Sequence, residues 1–204
     1  MATLFSDILA KGIRQGQVPA RTATAREWYR AQATTAAGRR MTAETILSTK
    51  DQGRPKARLV GEGYFGKMYL FEYDPKLKDT LPYYDRFPLV FPINKAKGGF
   101  LGINMHYLPP QLRAQLMDAL YTVASDDKYN EKTRLELSYD ILNSASKFKL
   151  FKPTVKRYLT SHVKSRFVEI FSSEWDTALF LPIQSFQKAT QSKVWADSRS
   201  MLRG

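Results

Sequence analysis

"GKMYLFEYDPKLKDTLPYYDRFPLVFPI", residues 66–93, sets two apolar, aromatic-rich segments around a polar middle. Residues 67–73 have strand composition, although apolar and polar positions alternate poorly. Residues 87–93 form a second candidate strand, which Pro88 and Pro92 place at a sheet edge or make irregular. Between them Asp74-Pro75 opens a turn and Pro82 stiffens the return. The middle therefore reads as a long hairpin connection. Tyr83 and Tyr84 lie over the sheet as contact residues for other proteins. Asp85 forms a local ion pair with Arg86, worth little if exposed.

Working outward, "GGFLGINMHYL" supplies a third strand over residues 100–107. Three strands joined by Gly- and Pro-rich turns predict a small bent antiparallel sheet or a partly closed barrel. "LPPQLRAQLMDALYTVA" follows as the clearest helix. Pro109 and Pro110 fit its first turn, and Leu112, Leu116, Ala119, Leu120 and Val123 recur at helical spacing. "RLELSYDILNSASK" predicts a second helix, and "KPTVKRYLTSHVKSRFVEI" a third that starts near Pro153. "SEWDTALFLPIQSF" mixes a helical turn with a short apolar element, and the rest trails off polar and basic.

Upstream of the strands the chain changes character. A short apolar helical element around residues 6–10 is broken by "GQVPART". "TATAREWYR" predicts a helix capped by Thr22 or Thr24 and anchored by Trp28. "STKDQGRPKARLVGEG" is a polar, Gly-containing linker. The first sixty residues offer too little regular apolar surface for a core of their own and read as an arm that wraps a partner. The fold class is α+β: an extended basic arm (1–60), a small antiparallel sheet (61–110), and a helical region with a basic helix and a polar tail (111–204).

Charge is uneven. The formal net charge is +13, and residues 1–60 and 146–204 each carry 11 basic against 4 acidic side chains. Basic ends around a neutral centre suggest an electrostatic footprint for a polyanion, with an acidic protein partner or a generic basic surface as the alternatives. The densest part is "KFKLFKPTVKRYLTSHVKSR", residues 147–166, with seven basic side chains and no acidic one. As a helix it would place Lys152, Lys156 and Lys164 on one face and Val155, Leu159, Val163 and Phe167 on another. Such a face follows a phosphate backbone with salt-dependent, largely sequence-independent affinity. The candidate nucleic-acid contacts are Lys147, Lys149, Lys152, Lys156, Arg157, Lys164 and Arg166, with Arg39 and Arg40 from the arm. Trp28, Tyr83 and Tyr84 are the candidate protein contacts.

Catalytic chemistry finds no footing. There is no cysteine, which removes disulfides and thiolates. His106 and His162 stand far apart; His106 reads as a core or sheet hydrogen bonder, and His162 as a cap or partner contact. No His, Asp or Glu cluster has metal-ligand spacing. Asp74, Asp79 and Asp85 are read as turn acceptors rather than ligands, and "GEGYFGKMY" lacks the order of a phosphate loop. No cofactor is implied. There is no secretory start pattern and no apolar run long enough to span a bilayer, so no membrane partner is expected.

"VPARTATAREWYR", the 66–93 stretch, "GFLGINMHYLPPQLRAQLMDALY" and "KVWADSR" together resemble structural or accessory proteins of T4-like tailed bacteriophages. The resemblance spans nearly the whole chain, and the T4-type DNA end protectors are the nearest group within it. It implies a virion protein, assembled in the host bacterial cytoplasm, that sits on the terminus of packaged double-stranded DNA at head completion. The other role it implies is a connector or baseplate or tail-hub subunit, with other virion proteins of the head–tail junction or baseplate as partners. No catalytic residue comes with it.

Overall fold

In a computed structural model, residues 4–17, 22–25, 27–28, 31, 59–60, 65–180 and 184–203 are described. Arg39, Arg40 and most of the expected arm lie outside them. Among the described residues eight strands are present: β1 (Leu59–Val60), β2 (Met68–Leu70), β3 (Tyr84–Asp85), β4 (Leu89–Ala96), β5 (Gly99–Asn104), β6 (Val155–Leu159), β7 (Phe167–Ile170) and β8 (Phe186–Gln187). The helices described from end to end are α1 (Leu4–Arg14), α2 (Pro110–Ala124), α3 (Glu131–Lys147), α4 (Trp175–Phe180) and α5 (Gln191–Arg203), and the described residues between 23 and 31 are helical as well. The main sheet is open and wholly antiparallel, in the order β1-β7-β2-β4-β5-β6, while β3 and β8 pair separately. The fold is α+β, with the bent sheet open rather than closed into a barrel.

Both faces of the sheet are covered, which explains the poor alternation in β2. Met68 and Leu70 point into a large core with Leu89, Phe91, Ile103, Val168 and Ile170, against Leu116, Met117 and Leu120 of α2, Leu142 of α3 and Trp175 of α4. Tyr69 and Phe71 point the other way, into an aromatic layer with Tyr73, Val90, Tyr158 and Phe167. Phe71 alone sits edge-on to Tyr73, Phe100, Tyr158 and Phe167 at centroid separations of 4.8–6.3 Å. A strand buried on both sides reads as a continuous apolar run.

Four expectations are corrected or refined. The third helix does not form. Residues Lys149–Thr154 make a 3-10 turn, β6 pairs with β5, Thr160–His162 make another turn, and β7 inserts between β1 and β2. Phe100 opposite Tyr158 and Ile103 opposite Val155 supply the cross-strand contacts that favour this pairing. Secondly, of the two readings of residues 87–93 the irregular strand holds and the edge position does not, since β4 is central. Pro92 is accommodated where the register shifts between Pro92 and Asn94, so its missing N–H breaks no regular ladder. Thirdly, the polar tail contains α5, which buries Val194, Trp195 and Ser198. Fourthly, the start of the arm belongs to the body: α1 buries Phe5 and Leu9. The Asp118 carboxylate of α2 accepts from the Phe5 and Ser6 amides at 3.0 and 3.2 Å and from the Ser6 hydroxyl, capping α1 where its orphan amides emerge.

Candidate nucleic-acid interface

The basic stretch is divided among three places around edge strand β6. Lys147 ends α3, and Lys149 and Lys152 lie in the 3-10 turn before β6; all three are exposed. Lys156 and Arg157 lie on β6 and point to opposite faces of the sheet. Lys164 and Arg166 follow in the connection to β7, both exposed. The shared helical face of Lys152, Lys156 and Lys164 therefore does not exist.

Lys156 also departs from the expected role. It sits opposite Gly102, and its ammonium lies 4.1 Å from the centroid of the Tyr107 ring. Burial pushes this ammonium down to about 8, so Lys156 is a half-buried packing cation rather than an open phosphate contact. Arg157 is exposed and donates to the Lys97 carbonyl oxygen. That bond, with Thr160 N–H and Oγ1 each 3.0 Å from the Gly98 oxygen, fastens the β4–β5 turn to the end of β6. It brings in Lys95 and Lys97, two exposed cations that sequence reasoning passed over. Their spacing around "KAKGG" was visible; that the turn would meet the basic strand was not.

Five basic residues away from this edge are paired, while Lys76, Lys128, Arg134, Lys188 and Arg199 make no salt bridge among the described residues. Lys67 pairs with Glu131 and Glu169, Lys78 with Asp74, Arg86 with Glu72, Lys132 with Glu136, and Lys193 with Asp197. None of the seven basic residues between 147 and 166 makes a salt bridge among the described residues. Lys164 acts on Asp74 only at longer range, helping to hold that carboxyl below the ordinary range; the hydrogen bond from Lys78 is the main cause. The five residues of β6 extend roughly 16 Å. Two cationic groups border its ends: Lys147, Lys149 and Lys152 before it, and Lys95, Lys97 and Arg157 near its far end. A duplex presents roughly nine phosphate charges over that length.

The crowded loop of the 66–93 stretch closes over a buried polar network. Asp85 is 3% exposed and does not pair with Arg86, whose guanidinium reaches Glu72 at 2.7 Å. The Asp85 carboxylate instead accepts from His106 Nδ1 at 2.6 Å, Asn104 Nδ2 at 3.3 Å, and the Phe87 and Ser185 amides at 3.2 and 3.0 Å. Asn104 Nδ2 also donates to the Tyr158 hydroxyl at 3.1 Å. Burial drives His106 below its ordinary value and outweighs the pull of Asp85. Arg113, lowered to about 10 by burial, donates to the Leu108 and Leu179 carbonyls. The His106 ring is wholly buried, so this His–Asp pair braces the core and has no route to a substrate. His106 is the core hydrogen bonder expected, in a 3-10 turn after β5. His162 Nδ1 lies 2.9 Å from the Asp74 oxygen, consistent with a local cap.

The expected protein contacts are half-buried. Trp28 packs against the main core, Tyr83 lies 6.1 Å from the Tyr107 ring, and Tyr84 pairs with Gln187 across β3 and β8. Among the described residues no group of three or more His, Cys, Asp or Glu could hold a metal ion, and no helix is long and apolar enough to cross a membrane.

Comparison with known families matches residues 24–199 to the family described as phage T4 terminal DNA protecting protein. The match covers most of the chain, and the chain belongs to this family, which makes it a non-enzymatic phage virion protein. No curated protein and no solved structure matches it.

Proposed function

We propose that this protein binds and covers the termini of packaged double-stranded DNA during head completion. The observation that carries the reading is the density of cations at the β6 edge: seven basic side chains and no acidic one over residues 147–166, none in a salt bridge among the described residues. Lys147, Lys149, Lys152, Arg157, Lys164 and Arg166 contact phosphates, with Lys95 and Lys97 beside them. The protein's action is steric: the body behind β6, filled on both faces of the sheet, stands between the DNA end and a nuclease. Phosphate contacts of this kind give strong salt dependence and little sequence preference.

A mobility-shift titration on linear and covalently closed circular duplexes at several salt concentrations tests the reading. With six phosphate contacts, log K falls against log salt with a slope of about −5.4. Replacing Lys149 and Lys152 with Gln makes the slope shallower by about 1.8. Linear DNA is preferred and its ends resist exonuclease. Absence of DNA binding at low salt refutes the proposal. So does an Arg157→Glu variant that blocks particle assembly while binding DNA normally; the edge would then serve a neighbouring virion protein.

A further inference from the structure

Phosphate contacts alone cannot distinguish a DNA end from its interior, because both present the same backbone. An end differs in exposing the flat face of its last base pair, which every internal pair hides against its neighbours. Reading an end therefore needs an exposed ring set among cations. The large apolar side chains exposed among the described residues are Ile13, Leu77, Tyr129, Phe148, Leu150 and Phe171. Three carry rings. Tyr129 lies in a turn with Asp126, Asp127 and Glu131, and Phe171 lies between Glu169 and Glu174. Phe148 is 63% exposed and stands between Lys147 and Lys149, with Leu150 and Lys152 just beyond.

Phe148 is also held firmly. It caps the C-terminus of α3; its N–H donates to the Ala145 oxygen and its own oxygen accepts from Phe151, each at 3.0 Å. Ala145 beneath it is buried. Phe148 itself lines one end of an apolar groove of about 540 Å³ between α2 and α3, with Leu116, Val123, Ile141 and Phe151, and with Asp140 as its one carboxylate. The backbone that carries the ring is fixed by these two bonds, and Lys147, Lys149 and Lys152 make no salt bridge among the described residues.

We infer that Phe148 is the end-reading residue: the terminal base pair of the duplex stacks on its ring while Lys147, Lys149 and Lys152 hold the last phosphates. This rests on the terminus-binding reading above and adds the contact that makes that binding selective for ends. Base–aromatic stacking of this kind is worth about tenfold in affinity.

The test compares the full-length protein with Phe148→Ala, Phe148→Trp and Lys149→Gln/Lys152→Gln on a blunt linear duplex and on a covalently closed circle. A 2-aminopurine base stands at the terminal or a central position of the linear duplex. Phe148→Ala is expected to lose about tenfold for linear DNA and nothing for the circle, erasing the preference. Phe148→Trp keeps it, and the lysine pair weakens both substrates alike. Terminal 2-aminopurine is quenched by the native protein and not by Phe148→Ala; the central probe is unchanged in both. If the native protein prefers ends and Phe148→Ala keeps both the preference and the quenching, the stacking role falls while the function above stands. If the native protein binds the circle as well as the linear duplex, terminus binding itself is refuted, and this contact with it.

Discussion

Removing the Asp85 carboxylate is the most severe single change the structure offers. In Asp85→Ala four donors lose their acceptor: His106 Nδ1, Asn104 Nδ2, and the amides of Phe87 and Ser185. A buried donor left unsatisfied costs about 1–3 kcal/mol, which summed over four gives roughly 4–12 kcal/mol. The upper half of that range overstates the loss. Two of the bonds are long, at 3.2 and 3.3 Å, and the space vacated by the side chain can admit water. His106 cannot find relief on its other side, because Nε2 is buried without a partner. The expected loss is about 4–5 kcal/mol, a large fraction of the roughly 5–15 kcal/mol that holds a domain together. Urea unfolding followed by tryptophan fluorescence measures it, since Trp175 and Trp195 are both buried. Trp195 donates to the His106 carbonyl at 2.9 Å and so reports directly on the network. A loss below about 1 kcal/mol would refute the claim that this carboxylate organises the core.

The remaining predictions address the sheet edge and its supports. Lys156 has a folded value of about 8 against an ordinary 10.5, so the unfolded chain holds more protons between those values. Its penalty is therefore complete below pH 8 and fades as pH rises. In urea midpoints at pH 7.5, 8.5 and 9.5, the native protein should gain stability relative to Lys156→Met; a constant difference contradicts the burial argument. Gly99→Ala should detach β6, because an added Cβ would lie 1.8 Å from the Tyr158 carbonyl oxygen, a backbone atom that no rotamer change can move. The expected cost is about 3 kcal/mol, with faster amide exchange across residues 155–159; native-like exchange there would refute it. Asp118→Ala should cost about 1–2 kcal/mol by uncapping α1, and limited proteolysis should then cut within residues 4–17 first; unchanged cleavage kinetics would count against the docked helix.

What the sequence disclosed and what it concealed follow from the range of the interactions. The α2 stripe of Leu112, Leu116, Ala119, Leu120 and Val123 mixes steps of three and four, which a helix satisfies and a strand does not, so it was legible locally. Residues 155–163 are different. Val155, Leu159 and Val163 are spaced by four, and an interval of four returns to the same side of a helix and also, being even, to the same face of a strand. The ambiguity extends to Lys152, Lys156 and Lys164, and Pro153 is acceptable both in a first helical turn and in the 3-10 turn that is found. What decided between the readings lay more than fifty residues away: Phe100 stacks on Tyr158 with ring centroids 5.3 Å apart, and the close-fitting Gly99 and Gly102 let β6 pair with β5. Asp85 was misread for the same reason, since its partners Asn104 and His106 arrive from β5 and the turn after it. The composition of the basic stretch survived the change of secondary structure, because seven cations without a neighbouring carboxylate carry the same charge on a strand as on a helix. The geometry did not survive. A helix would have lined several cations along one face. The strand buries Lys156, turns Arg157 to the opposite side, recruits Lys95 and Lys97 from the adjoining turn, and leaves Phe148 exposed among lysines at the end of α3. The stretch read as a helix thus supplies the edge strand beside which these cations and Phe148 lie, and on that arrangement the proposed recognition of a DNA end rests.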